Sequence, residues 1–206
     1  MDEPRVSAEV GEDRILTVPN VISALRLAGF PVFVWLLFGR DDRLAAAILL
    51  AVLGATDWVD GWIARRFHQI STLGKVLDPV ADRVILIGGV TAILVDGAVP
   101  LWVAVAALLR ETLVAAATVT LAALGARRID VQWTGKAGAF GLMIAFPSFL
   151  GAEADTSLDG VLTAIAWVSA LPGLVLSYLS LITYVPLART ALAEGRARQT
   201  PHESHR

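Results

Sequence analysis

Six apolar runs, each near the length that crosses a bilayer, take up most of this chain. They are about Pro19–Phe38, Leu44–Arg65, Leu73–Val95, Pro100–Leu124, Gly135–Leu150 and Leu158–Leu187. A membrane-spanning helix needs about 20 mostly apolar residues, and the brief spacers between the runs are broken by Gly, Pro, Asp and Arg. The composition agrees: 56% of the 206 residues are hydrophobic and 17% are charged, against about 25% charged in an ordinary soluble domain. The expectation is an all-α, polytopic integral membrane protein with six transmembrane helices. A disordered chain and a soluble binding module are excluded. The second and third runs are apolar at one end and polar at the other. The fifth is short, and the sixth is long, with Pro172-Gly173 inside it, where a bend is expected. Residues 1–16 and 190–206 read as polar, partly disordered tails around a membrane domain of 17–189. No signal peptide is evident, because the first apolar run follows a polar stretch and is too long. The chain has no cysteine, which removes disulfides, thiolate metal sites and a cysteine nucleophile.

Six spans put both ends on one side, and the spacers then alternate. One set is the N-terminal tail, Arg65–Lys75, Arg127–Lys136 and the tail after Leu187, with twelve basic residues in all. The other set is Gly39–Arg43, Asp96–Val99 and Gly151–Asp159, with only Arg40 and Arg43 against six acidic residues. The positive-inside rule makes the first set cytoplasmic and the protein one of the inner (plasma) membrane. The net charge of −2 gives no reason to expect a nucleic-acid partner. No internal repeat is evident, which argues against an inverted-repeat transporter.

The chemistry is concentrated in Asp57-Trp-Val-Asp60-Gly61-Trp-Ile-Ala64-Arg65, then eight residues, then Gly74-Lys-Val-Leu-Asp78-Pro-Val-Ala-Asp82. Asp57 and Asp60 are three apart and Asp78 and Asp82 four apart, so each pair shares a helix face. A tight loop joins the two helices, and an antiparallel pair joined this way can gather all four carboxylates near the cytoplasmic surface. An acidic residue in a span costs about 2.5–3.5 kcal/mol on insertion scales, and four together add mutual repulsion. One or two divalent cations would relieve both costs. Oxygen-only ligands suit Mg²⁺ or Mn²⁺ rather than Zn²⁺. Two such ions can clamp a pyrophosphate for in-line displacement. Gly61 and Ala64 leave room for a ligand or a facing helix, and Arg65 offers a forked donor for phosphate. The competing view is that these aspartates cap helix ends or pair with Arg65, Arg66 and Arg83. Four at these spacings, on two short segments with small residues between them, favour a site.

The stretch Asp57–Asp82 matches every specified position of D-x2-D-G-x2-A-R-x8-G-x3-D-x3-D and so resembles the CDP-alcohol phosphatidyltransferase family. The entry Thr17-Val-Pro19-Asn20-Val-Ile-Ser23-Ala-Leu-Arg26 is similar to the family's first helix. Trp133-Thr-Gly135-Lys136 resembles the turn before the fifth helix in the bacterial phosphatidylglycerol-phosphate and cardiolipin synthase branches. The similarity covers roughly residues 17–187. It implies a six-helix membrane enzyme, usually a homodimer, that moves a phosphatidyl group from CDP-diacylglycerol to an alcohol and releases CMP. By the same resemblance, Asp57, Asp60 and Asp78 hold two metal ions on the pyrophosphate. Asp82 adds to the metal site and acts as general base. Asp57, Gly61, Ala64, Arg65 and Gly74 bind the CDP moiety.

Arg110-Glu111 interrupts an apolar run, where a charge needs a partner or a wet cavity. Arg110 is read as an anion donor or as half of a structural pair. Lys136 is either an acceptor ligand or an interfacial anchor. Arg26 either snorkels to the headgroups or faces the site. His68, His202 and His205 read as solvated rather than metal-binding. Glycerol 3-phosphate users in the family typically resemble R-E with a second arginine eight residues on, where this chain has Thr118. The acceptor phosphate is then left to Arg110, Lys136 and Arg26. Phosphatidylglycerol-phosphate synthase and cardiolipin synthase chemistry stand level, with serine or inositol phosphate acceptors behind. An aspartate-rich membrane prenyltransferase and a cation transporter are the remote rivals.

Overall fold

The computed structural model describes residues 18–67, 74–124 and 133–199; side chains are described for 21–56, 81–121, 123–124 and 133–183. Among the described residues the fold is six α-helices with no strand. These are α1 (Val18–Val34), α2 (Arg43–Phe67), α3 (Gly74–Asp96), α4 (Leu101–Ala123), α5 (Trp133–Ala152) and α6 (Asp159–Gln199). Helix α1 carries Pro31 in its interior and ends in a π-helical turn, Trp35–Gly39. There the Arg40 N–H donates to Trp35 O at 3.0 Å, and the Arg40 guanidinium lies over the Trp35 ring, 5.3 Å from its centroid. Asp42 caps α2 by accepting from the Ala45 N–H at 2.9 Å, which satisfies one of the helix's orphan donors. Gly97 closes α3 at φ +87°, a left-handed position that suits glycine.

Among the described residues, four helices are long and apolar enough to cross a membrane, over Val21–Gly39, Leu101–Leu121, Trp133–Ala152 and Asp159–Thr183. The sequence led to an expectation of six. The difference lies in α2 and α3, which carry the charged block; the apolar part of α2 is Arg43–Thr56. A second difference is at the end of α6. The polar segment expected as a tail from residue 190 continues the helix to Gln199, and α6 is assigned as one helix through Pro172-Gly173. Residues 190–199 are rich in Ala, Leu, Glu and Arg, all strong helix formers. A change to polar composition ends an apolar run without ending a helix.

The core combines large side chains, Phe33, Leu37, Ile93 and Leu150 among them, with many alanines, while other large apolar side chains face outward. Leu25, Val95, Leu101, Val119, Val168 and Ile182 are exposed, whereas Ala46, Ala104, Ala145, Ala166 and Ala170 are buried. Small residues at helix contacts let backbones approach where lipid supplies no hydrophobic drive between helices. Helix α1 packs on α2 and α3, α5 on α2 and α6, and α4 on α6. The Tyr178 hydroxyl ties α6 to α4 by donating to Ala106 O at 2.9 Å. The α5–α6 contact is antiparallel and very close. A Cβ on Gly138 would lie 2.7 Å from Ser177 N and 2.8 Å from Gly173 O, and one on Gly141 2.9 Å from Ser169 O.

One end of the bundle is tied by Arg43. Its Nε donates to Asp96 Oδ2 at 3.0 Å and its Nη1 to Glu153 O at 3.2 Å. Arg43, Asp96 and Glu153 come from the three spacers expected to share one side, and they do meet at one end.

Candidate active site

A cavity of about 270 Å³ lies between α2, α3, α4 and α5. Its walls are mostly apolar, with Leu50 and Leu53 from α2, Ile85 and Val90 from α3, and Leu142 and Phe146 from α5. Among the described residues, four charged ones also line it: Arg26 from α1, Asp82 from α3, and Arg110 and Glu111 from α4. On α3 the wall runs from Asp82 to Val90, about 12 Å of helix, toward the end tied by Arg43.

Two ion pairs organise the charges. Arg26 Nη1 donates to Asp82 Oδ1. Arg26 sits on the buried stripe of α1, with Ser23, Phe33 and Leu37 on the same face. It is therefore an interior residue and does not snorkel to the headgroups. Arg110 Nη1 donates to Glu111 Oε2 at 3.0 Å. Arg110 Nε is buried without a hydrogen-bond partner among the described residues, as is Thr134 Oγ1. The first turn of α5 lies near the Arg110 guanidinium: a Cβ on Gly135 would lie 3.9 Å from Arg110 Nη2, an ordinary contact, and 2.7 Å from Ser180 Oγ on α6. Buried polar atoms normally find partners, and Arg110, which lines the cavity, has in its Nε a donor that an anion would satisfy.

Other expected residues fall elsewhere. Lys136 is exposed and does not line the cavity. Thr118 is exposed, and its hydroxyl donates to Val114 O at 2.8 Å, so it adds nothing to the anion site. Sequence reasoning passed over Thr134, although it lies in the Trp133-Thr-Gly135-Lys136 turn. It also passed over the wall residues Leu142, Met143 and Phe146, which carry no signal distinguishing them from any apolar membrane residue.

The aspartate block is split across two helices as expected: Asp57 and Asp60 lie on α2, Asp78 and Asp82 on α3. The side chains of Asp57, Asp60, Gly61, Ala64, Arg65, Gly74 and Asp78 lie outside the described residues, as does all of His68, His202 and His205. Asp82 is described, and it faces the cavity. Among the described residues no group of three or more His, Cys, Asp or Glu is gathered. The fit to a metal therefore rests on donor chemistry. Four carboxylates at one-turn spacing, with no His or Cys among them, suit a hard divalent cation.

The match to the CDP-alcohol phosphatidyltransferase family spans residues 16–172 and includes the aspartate block, Arg26, Arg110 and the α5 turn. The chain is 34% identical over 194 residues to a protein of Streptomyces coelicolor named cardiolipin synthase (CMP-forming), covering 90% of each chain. It is 29% identical over 185 residues to a protein of Sodalis glossinidius named CDP-diacylglycerol–glycerol-3-phosphate 3-phosphatidyltransferase. That match covers 87% of this chain and 98% of the relative. With the family match over three-quarters of its length and the complete aspartate signature on α2 and α3, the chain belongs to the CDP-alcohol phosphatidyltransferase family of enzymes.

Proposed function

We propose that this enzyme transfers the phosphatidyl group of CDP-diacylglycerol to a hydroxyl of phosphatidylglycerol, releasing CMP and forming cardiolipin. The observation that carries the reading is one cavity in which Asp82 and a partly unsatisfied Arg110 share apolar walls. The acceptor hydroxyl oxygen attacks the phosphorus that bears diacylglycerol. The bond from that phosphorus to the CMP oxygen breaks, CMP leaves with the electron pair, and the hydroxyl proton passes to Asp82. Asp57, Asp60, Asp78 and Asp82 would hold two Mg²⁺ or Mn²⁺ ions, which supply charge neutralisation on the pyrophosphate. Asp57, Gly61, Ala64, Arg65 and Gly74 would bind the CDP moiety. A carboxylate is a weak base, so holding the hydroxyl beside Asp82 contributes much of the rate.

The choice of acceptor follows from the donors found among the described residues. Arg110 is already half engaged by Glu111, Arg26 by Asp82, and Thr118 stands where a further cation would be needed. A dianionic phosphomonoester asks for more than this. A singly charged phosphodiester asks for about one forked donor, and apolar walls suit a lipid. The name of the Streptomyces relative supports the same acceptor, and that of the Sodalis relative supports glycerol 3-phosphate as the second reading. Purified enzyme given CDP-diacylglycerol and Mg²⁺ is expected to make cardiolipin from phosphatidylglycerol. Faster turnover with glycerol 3-phosphate would overturn the choice of acceptor, and turnover only with serine or an inositol phosphate would overturn both glycerol readings. Arg110→Ala should lower kcat/KM for the acceptor roughly tenfold or more, the scale of a charged hydrogen bond, while leaving CDP-diacylglycerol binding intact.

In this reading the protein is a homodimer whose subunits have six spans each, with a membrane domain of 17–189. Both termini and the site face the cytoplasm. The tied end, with Arg43, Asp96 and Glu153, faces outward. The absence of native cysteine makes the topology testable. A Gln69→Cys variant should resist a membrane-impermeant thiol reagent in intact cells, and an Asp155→Cys variant should react. The opposite pattern would invert the orientation.

A further inference from the structure

Arg26 is 3% exposed, whereas the side chain of its partner Asp82 is 45% exposed. That asymmetry separates their roles. A guanidinium buried this deeply has lost most of its water, and it is tolerated because it meets an anion. It is packed on the α1 stripe with Ser23, Phe33 and Leu37, so it is the fixed member of the pair. Asp82 lines the cavity and is the exposed member. A charge-assisted bond from a rigid, planar donor selects one orientation of a carboxylate. The pair also joins two helices: Asp82 lies 56 residues from Arg26, on α3, and the nearby Arg83 is exposed.

We propose that Arg26 is the positioning residue of Asp82, holding its carboxylate in the orientation that takes the acceptor proton. This role differs from the acceptor-binding role that the sequence suggested for Arg26. It rests on the reading of Asp82 as the general base. It also places the first helix in the catalytic machinery through one side chain, so that α1 and α3 must stay in register for turnover.

The test is a double-mutant cycle in purified enzyme. Arg26→Met is expected to lower kcat about 10²-fold, the lower range for loss of general-base function, with both substrate KM values within about threefold of wild type. Arg26→Lys, which keeps the charge but not the fork, should recover about tenfold of that loss. If Arg26 acts through Asp82, Arg26→Met combined with Asp82→Asn should be no slower than Asp82→Asn alone. Direct titration with Mn²⁺ gives a readout independent of turnover. Arg26→Met removes a positive charge from the site and should bind Mn²⁺ at least as tightly as wild type. Additive losses, a raised acceptor KM, or Mn²⁺ binding weakened tenfold would each overturn the proposal. If Arg26→Met does not fold, Arg26→Gln and Arg26→Lys carry the same cycle. Normal turnover by Asp82→Asn would instead remove the base assignment on which the proposal rests.

Discussion

Replacing Asp57, Asp60 or Asp78 by asparagine is expected to lower turnover at least about 10²-fold each, the scale of losing a principal electrostatic stabiliser. Asparagine keeps the size and one carbonyl oxygen but removes the negative charge. The expected loss is therefore specific to charge, and the helices α2 and α3 should persist. Chelation should abolish activity in the wild type, and Mg²⁺ or Mn²⁺ should restore it. A partial rescue of the asparagine variants at high Mg²⁺ would fit a weakened but surviving site. Near-normal turnover in two of the three variants would sink the metal assignment. The rival view, in which the aspartates only pair with neighbouring arginines, predicts losses of stability rather than of rate, so thermal unfolding measured beside turnover separates the two. The same experiment bears on the remote rivals. A prenyltransferase would show the metal dependence with a prenyl diphosphate donor, and a cation transporter would show it as flux.

The helices were legible because a bilayer demands long apolar stretches, and the spacers were legible because breakers and charges cluster there. The ends of α2 and α3 were legible for a second reason: the aspartate block carries its own spacing, and its residues fall on the two helices α2 and α3. What the sequence could not supply is which side chains meet. Arg26 and Asp82 are joined only by the packing of α1 on α3. A signal did exist, since Ser23, Arg26, Phe30, Phe33 and Leu37 follow a helical stripe, which puts Arg26 on the core face rather than at the headgroups. Lys136 illustrates the opposite case. It sits in a turn that resembles the family's, yet it is exposed, and the α5 residues that line the cavity are Ala139, Leu142, Met143 and Phe146. The extension of α6 to Gln199 was hidden because hydropathy marks where an apolar span ends, whereas helix propensity marks where a helix does.

The α5–α6 seam holds the site together from behind, and the second large effect is expected there. Gly138 faces Ser177, and a Cβ at 138 would collide with Ser177 Oγ and lie 2.7 Å from Ser177 N and 2.8 Å from Gly173 O. A serine side chain can rotate away, but the two backbone atoms cannot move without separating the helices. Gly173 in turn approaches Gly138 O and Leu142 N to 3.1 and 3.2 Å from its own ideal Cβ, so the seam has no slack on either side. Gly138→Leu should therefore cost about 1–3 kcal/mol or more through overpacking and lower the unfolding temperature in detergent. Because α5 also carries Gly135, Thr134 and the wall residues Leu142 and Phe146, pushing α5 off α6 should disturb the Arg110 end of the cavity as well. Activity should fall further than the folded fraction does, with the acceptor KM raised. Gly89→Ala is the matched control. Its Cβ would meet Leu50 at 3.4 Å, an ordinary contact, so it should fold normally. A Gly138→Leu protein as stable and as active as wild type would mean that the two helices do not pack backbone to backbone at this seam.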